Sequence, residues 1–473
     1  MEQGIPGKAS SRWVICIVVI LMTFMSCLDS SIVNIALPAM SAELKSPMSS
    51  IEWVVTAYLV AISATILAFG RLGDMHGKAR VFQWGTVIFT VSSLGCGLSH
   101  SLAALIAWRI AQGIGAAAYM ANNQGIIAQT FEPGERGRAL GTLGSSVALG
   151  NMLGPAVGGA IVTNHAWNGI FFINVPLGLL AMVTGRCVLP KEARKPGTLD
   201  IPGAVFFAGF IALSIVGVTV GQTRGFADIP VLASLALGVA CLVSFVARER
   251  SAKSPLLDFA IFRNLGFTAA LACAAVSFIC ISSSGILLPF YLVNARSLRA
   301  SVAGLILIVS PVLIGVLSPV CGAIADRYGP RGPSFLGLAL MGAGFLLLAT
   351  LGQATPFAFV IAFLSVIAIG QGFFQPSNNT IIMSSVPRDK LGIAGSVNSL
   401  VRNLGIVLGV TLSTSLLYAI MSASSGRAVT DYPHGNDALF IGSIRPIYCA
   451  IAALCLVGAS LAFARFRLRR ARV

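Results

Sequence analysis

Gly70-Arg-Leu-Gly-Asp74-Met-His-Gly77-Lys78-Ala-Arg80 returns 252 residues later as Gly322-Ala-Ile-Ala-Asp326-Arg327-Tyr-Gly329-Pro-Arg331. Each copy follows an apolar stretch and reads as a short turn between two helices. Glycines permit the tight bend and close helix approach. An aspartate here suits the free N–H groups at the start of the helix that follows. The basic residues Lys78, Arg80, Arg327 and Arg331 hold the turn at a membrane surface. Two such turns half a chain apart indicate a parallel duplication, as in some transporter folds.

The rest of the chain agrees with a membrane setting. Its 473 residues are 56% hydrophobic and only 10% charged, with a mean hydropathy of +0.87. Soluble domains do not have this composition. Apolar spans are predicted near 13–36, 51–70, 81–98, 101–122, 139–162, 169–189, 202–221, 229–247, 266–291, 301–323, 333–351, 356–377, 394–419 and 445–464. That is fourteen, each long enough to cross a bilayer. Lys8 and Arg12 precede the first span, which is too long for a signal peptide and lacks a small-residue cleavage site, so it reads as a retained helix.

A net charge of +16 suggests a nucleic-acid binder, but topology accounts for it without one. With the N-terminus inside, 24 of the 32 Lys and Arg fall on inside segments. Five fall outside: Lys45, Arg224, Arg296, Arg299 and Arg427. Arg109, Arg402 and Arg445 lie in or near spans. This is the positive-inside bias, and it predicts both termini in the cytoplasm. The ten cysteines lie in spans or at their inner ends without metal spacing, and no disulfide or metal site is expected. No phosphate loop or hydrolase signature stands in a usable context.

The repeat divides the chain into a six-helix half (1–190), a linker with two additional spans (191–262) and a second six-helix half (263–473). The hinges around the insertion, 186–200 and 248–265, are rich in Lys, Arg and Pro. The longest outside loop, about 420–444, carries Asp431, His434 and Asp437.

Asp29 is the one acid deep in a span. A carboxylate there costs several kcal/mol unless it faces protein or water. Asp29 lies seven residues below the outer end of span 1 at Ala36, about 10 Å at 1.5 Å per residue. Arg109 lies seven residues into span 4 from Leu102, at the same depth. The two are expected to face each other or to share a water network. One reading makes Asp29 the proton-coupling carboxylate. The alternative is a permanent ion pair that fixes two helices.

Several stretches together resemble the major facilitator superfamily, and within it the fourteen-span drug:proton antiporters. Leu28-Asp29-Ser-Ser-Ile-Val-Asn34-Ile-Ala36-Leu37-Pro38 looks like that family's first-span signature, and Gly70 to Arg80 like the superfamily's cytoplasmic gate. Arg109-Ile-Ala-Gln112-Gly113-Ile-Gly115 looks like its fourth-span motif. Gly150-Asn-Met-Leu-Gly154-Pro155-Ala-Val-Gly158-Gly159 looks like its fifth-span antiporter motif. Phe172-Ile-Asn174-Val-Pro176, Gln371-Gly-Phe-Phe-Gln375-Pro376 and Val401-Arg402-Asn403-Leu-Gly405 also fit. Two positions depart: Met75 stands where a basic residue is usual, and Asn151 where a small residue or Pro is common.

The resemblance implies an all-α polytopic fold of two six-helix bundles plus two extra helices, working by alternating access. It implies proton-coupled export across the cytoplasmic membrane, with protons as the coupling ion, no other cofactor, and a small amphipathic molecule and the lipid bilayer as partners. A monomer that does not bind nucleic acid is expected. Cavity candidates are Asn34, Tyr58, Gln112 and Asn398, then Tyr291, then Gln371, Phe373, Phe374 and Gln375 on span 12. Arg402 is a candidate contact for an anionic or polar substrate group, or a ligand for backbone carbonyls. One deep acid against two deep arginines favours a neutral, zwitterionic or weakly anionic substrate over a dication. An uptake symporter with the same fold is the alternative. An enzyme or a sensor fits less well: His76, His100, His165 and His434 scatter over both sides, and no loop is long enough for a sensor domain.

Overall fold

The computed structural model describes residues 9–164, 166–190, 192, 194, 197–225, 227–252, 254–426 and 437–470. Lys8, His165, Arg427, Asp431, His434 and Arg472 lie outside the described residues. The first half comprises α1 (Ala9–Glu43), α2 (Trp53–His76), α3 (Lys78–Gly97), α4 (Leu102–Thr130), α5 (Arg136–Asn164) and α6 (Asn174–Val188). The inserted pair is α7 (Ile201–Arg224) and α8 (Ile229–Ser251). The second half comprises α9 (Leu265–Phe290), α10 (Val309–Tyr328), α11 (Arg331–Leu348), α12 (Phe357–Ser384), α13 (Leu391–Ser425) and α14 (Asp437–Arg470).

Thirteen of these elements are long and apolar enough to cross a membrane. The fourteenth expected span, 81–98, is α3: a full twenty residues, but diluted by Lys78, Arg80, Gln83 and several Ser, Thr and Gly. It packs on α4, α6 and α2, and α6 meets its polar residues Gln83, Thr90 and Ser93. Several helices overrun their apolar cores. α14 begins at Asp437, inside the expected outside loop, and α13 continues to Ser425. A helix continues as long as its backbone bonds close, so polar end turns remain helical beyond the apolar window.

Contacts gather the described chain into two compact units, and one change of unit falls at Arg263/Asn264, within a residue of the expected start of the second half. Unit 1 holds Met1–Phe131, Gly150–Arg263 and Val386–Leu400; unit 2 holds Glu132–Leu149, Asn264–Ser385 and Val401–Val473. α5 and α13 are therefore each shared between units. The inserted pair belongs to unit 1, where α7 packs on α2 and α8 on α7. Its exit segment is tied down by Asp258, which accepts from Lys390 ahead of α13.

The duplication is written in glycine contacts. In unit 1 a Cβ on Gly85 of α3 would lie 2.6 Å from Gly115 O of α4, and one on Gly115 would lie 2.5 Å from Phe89 N. In unit 2 a Cβ on Gly337 of α11 would lie 2.6 Å from Gly370 O of α12. Gly85 and Gly337 are 252 positions apart, and Gly115 and Gly370 are 255 apart. Only a hydrogen fits at either crossing, so the backbones touch and dispersion contact replaces side-chain packing. Gly115→Leu or Gly337→Leu is expected to cost about 1–3 kcal/mol or more through overpacking. Gly285→Ala, which meets nothing within 4 Å, is expected to leave stability unchanged or slightly raised. Thermal unfolding of the purified variants in detergent checks both.

Candidate functional site

Unit 1 closes around Asp29. Arg109 Nη1 donates to Asp29 Oδ2 at 2.6 Å and to Gln112 Oε1 at 2.6 Å. Gln112 Nε2 donates to Asp29 Oδ1 at 3.1 Å, and Asn174 Nδ2 donates to the same oxygen at 2.8 Å. Ser93 Oγ accepts from Gln112 at 2.8 Å and from Asn174 at 3.4 Å. Arg109 Nε donates to Val54 O at 3.0 Å, and its guanidinium stacks 4.1 Å above the Tyr58 ring. Asp29 is 2% exposed and Arg109 0%. Five helices, α1, α2, α3, α4 and α6, thus meet at one charge pair.

The chemistry of the cluster is lopsided. The carboxylate receives three hydrogen bonds, all from donors. A proton arriving on it would turn an acceptor into a donor and oppose one of them. Arg109 is less well served: its Nη2 is buried without a hydrogen-bond partner. An unmet buried donor costs about 1–3 kcal/mol. Sequence spacing placed Asp29 and Arg109 at one depth. It did not assign Ser93 or Asn174 to the site, although an amide inside a span was the available signal for Asn174.

The fifth-span stretch seats α5 on the same part of α1. Pro155 has no N–H, so the carbonyl four residues back, that of Asn151, loses its helical donor. Ser31 Oγ of α1 supplies one at 3.0 Å. A Cβ on Gly150 would lie 2.8 Å from Cys27 Cβ, and one on Gly154 would collide with Ser31. Gly158 approaches Ile32, whereas Gly159 faces open space. The unusual Asn151 matters here through its carbonyl rather than its side chain.

The gate turns work differently from the expectation. Asp74 does not cap the helix that follows it. Its Oδ1 and Oδ2 accept from Gly392 N at 2.8 Å and Ile393 N at 2.9 Å, at the start of α13. Asp326 does the same for α5, accepting from Gly137 N at 2.7 Å and Arg138 N at 2.8 Å. Gly77 and Gly329 make each turn at positive φ, a conformation open to glycine. Gly70 and Gly322 allow the approach: a Cβ on Gly70 would collide with Ser396, and one on Gly322 with the Gly137 backbone. The copies differ in their cations. Lys78 is 1% exposed, with Nζ 3.0 Å from Asp74, and Glu192 accepts from its backbone N–H at 3.1 Å. The position 252 residues after Lys78 is Pro330. Met75, in place of the usual basic residue, is buried beside Gly197.

The Major Facilitator Superfamily profile matches residues 19–410 and 270–472. The chain belongs to this superfamily. Its relatives include the riboflavin transporter RibZ of Clostridioides difficile, 33% identical over 94% of this chain and 96% of that protein. The tetracenomycin C resistance and export protein of Streptomyces glaucescens is 29% identical over 90% and 79%. A solved structure of the proton:xylose symporter XylE shares the fold, with a TM-score of 0.66 at 14% identity over 97% of this chain and 96% of that one. Like these superfamily members, the protein is a multi-pass transporter.

The substrate candidates of this superfamily member separate into three sets. Tyr58 and Gln112 are consumed by the ion pair. Tyr291 and Phe374 lie in the core of unit 2: Tyr291 donates to Gly352 O at 2.8 Å, and Phe374 fills the space against Gly337. Asn398 is buried, and its Nδ2 donates to Gln124 Oε1 at 2.9 Å. These positions are packing residues in this conformation, because an aromatic or amide on a crowded face finds a protein partner first. Gln371, Phe373, Gln375 and Arg402 keep partial exposure, and Asn34 is exposed. Arg109→Gln is expected to destabilise the protein by about 3–5 kcal/mol, because it leaves a buried unpaired carboxylate. Asp29→Asn/Arg109→Gln should recover most of that loss, and a double-mutant cycle in thermal unfolding checks it.

Proposed function

We propose that this protein is a proton-coupled exporter of small amphipathic compounds in a bacterial cytoplasmic membrane, acting as a monomer with both termini in the cytoplasm. The carrying observation is the buried Asp29, held by Arg109 and two amides where five helices meet. A proton on Asp29 cancels its charge, weakens the Arg109 contact and frees α1 from α4 and α6. Loss of the proton draws the same helices back together. Alternation between the two arrangements couples proton entry to substrate exit. Asp74 and Asp326 restrain the starts of α13 and α5 during this cycle, since each holds a helix N-terminus that must otherwise find other acceptors.

Export is favoured over uptake by the glycine–proline seam against α1 and by relatives named for drug and antibiotic resistance, such as the multidrug transporter protein MdtP of Bacillus subtilis. The substrate class follows from charge: one deep acid, already paired, leaves little to attract a dication. The relative named as a riboflavin transporter supports a second reading, in which a neutral heteroaromatic metabolite is the substrate. Proton release on substrate addition tests the proposal. A panel of riboflavin, a neutral aromatic antibiotic and a cationic dye is added to purified wild type and Asp29→Asn. Release from wild type alone is expected, strongest with a neutral compound. Equal release from the variant would move the coupling carboxylate elsewhere, and release with the cationic dye alone would overturn the substrate class.

A further inference from the structure

A cavity of about 810 Å³ lies between α3 and α6, away from the Asp29 cluster. It opens at the end of unit 1 that carries the Asp74 turn. Arg80 stands in the first turn of α3 and Arg186 in the last turn of α6. Arg194, from the segment after α6, completes a basic rim. Among the described residues no acid lies within ion-pair distance of these three guanidinium groups. The single acid of the lining, Glu192, is engaged by Lys78. Arg80 Nη1 and the Nε2 of the neighbouring Gln83 are buried without a hydrogen-bond partner.

Below the rim the walls are apolar. Trp84 and Val87 follow Arg80 by four and seven residues, so all three share one face of α3. Trp84 and Val87 are both 43% exposed. On α6, Met182 lies four residues inward of Arg186, beside Val183 at 65% exposure. In a membrane-spanning helix such exposure means contact with acyl chains. Each helix therefore presents a cation at its end and apolar surface one or two turns inward, and α3 adds Trp84 at the boundary. Guanidinium forks match phosphate oxygens bidentately, and basic pockets between spans take anionic headgroups. A soluble anion would leave the apolar wall unused, and a zwitterionic headgroup would bring its own cation against three arginines.

We propose that this cavity binds one anionic phospholipid from the surrounding bilayer, its phosphate on Arg80, Arg186 and Arg194 and its acyl chains along Trp84, Val87 and Met182. Glu192, held by Lys78, lines the same cavity beside the gate turn. Native mass spectrometry of the detergent-purified protein with dioleoyl phosphatidylglycerol or the matching phosphatidylcholine tests this. One phosphatidylglycerol is expected to survive detergent removal, and phosphatidylcholine is not. Each basic residue near an anionic lipid contributes roughly fivefold to binding. Arg186→Glu/Arg194→Glu should therefore lose at least about tenfold, while Arg186→Lys/Arg194→Lys should stay within about threefold of wild type. The lysine variant and the comparison of the two lipids on wild type remain decisive if the glutamate variant does not fold. Equal retention of both lipids, or undiminished phosphatidylglycerol binding by a folded glutamate variant, would overturn the proposal. So would sn-glycerol 3-phosphate competing at the same concentration as the lipid, because the apolar wall would then contribute nothing.

Discussion

An arginine with no exposed surface, inside helices long enough to cross a membrane, must find its counter-charge within the protein. There is no water in hydrocarbon to satisfy it, and the penalty for burying each ion is several kcal/mol. Arg109 finds Asp29 on α1, Val54 and Tyr58 on α2, and Gln112 on its own helix. Asp29 in turn recruits Asn174 on α6, and Ser93 on α3 completes the set. The packing of the first six-helix bundle follows from these requirements as much as from apolar surface.

The second half shows the same skeleton without the charge. The glycine crossings and the carboxylate-capped helix starts recur at offsets of 252 to 255 residues. The positions matching Asp29 and Arg109 at those offsets are Ile281 and Leu364. Both pack with the apolar cluster around Phe345 and Tyr448. Duplication supplied two similar bundles, and at these matched positions only the first carries a buried charge pair. That asymmetry is why the coupling reading centres on unit 1.

The seam along α5 links the two properties. Gly150 and Gly154 bring α5 against α1 within a few residues of Asp29, and Pro155 exposes a carbonyl that Ser31 satisfies. A helix contact made of missing side chains and one borrowed hydrogen bond separates at lower cost than an interlocked one. The contact with α5 and the charge of Asp29 thereby lie on the same helix, α1.

The sequence by itself determined the class, the repeat and the depth of the two charges. Hydropathy and basic-residue bias need only local composition, and helical rise converts spacing into depth. It also identified the turn glycines, because their conformations are local. What it did not determine was partnership. Asp74 caps a helix more than three hundred residues away, and Tyr58 became a platform for Arg109 instead of a wall for substrate. Asn174 and Ser93 joined the site because helices from across the half-chain converge there. Hydrogen bonds between distant helices are chosen by the three-dimensional path of the backbone. Only the tertiary structure could decide which buried polar group meets which.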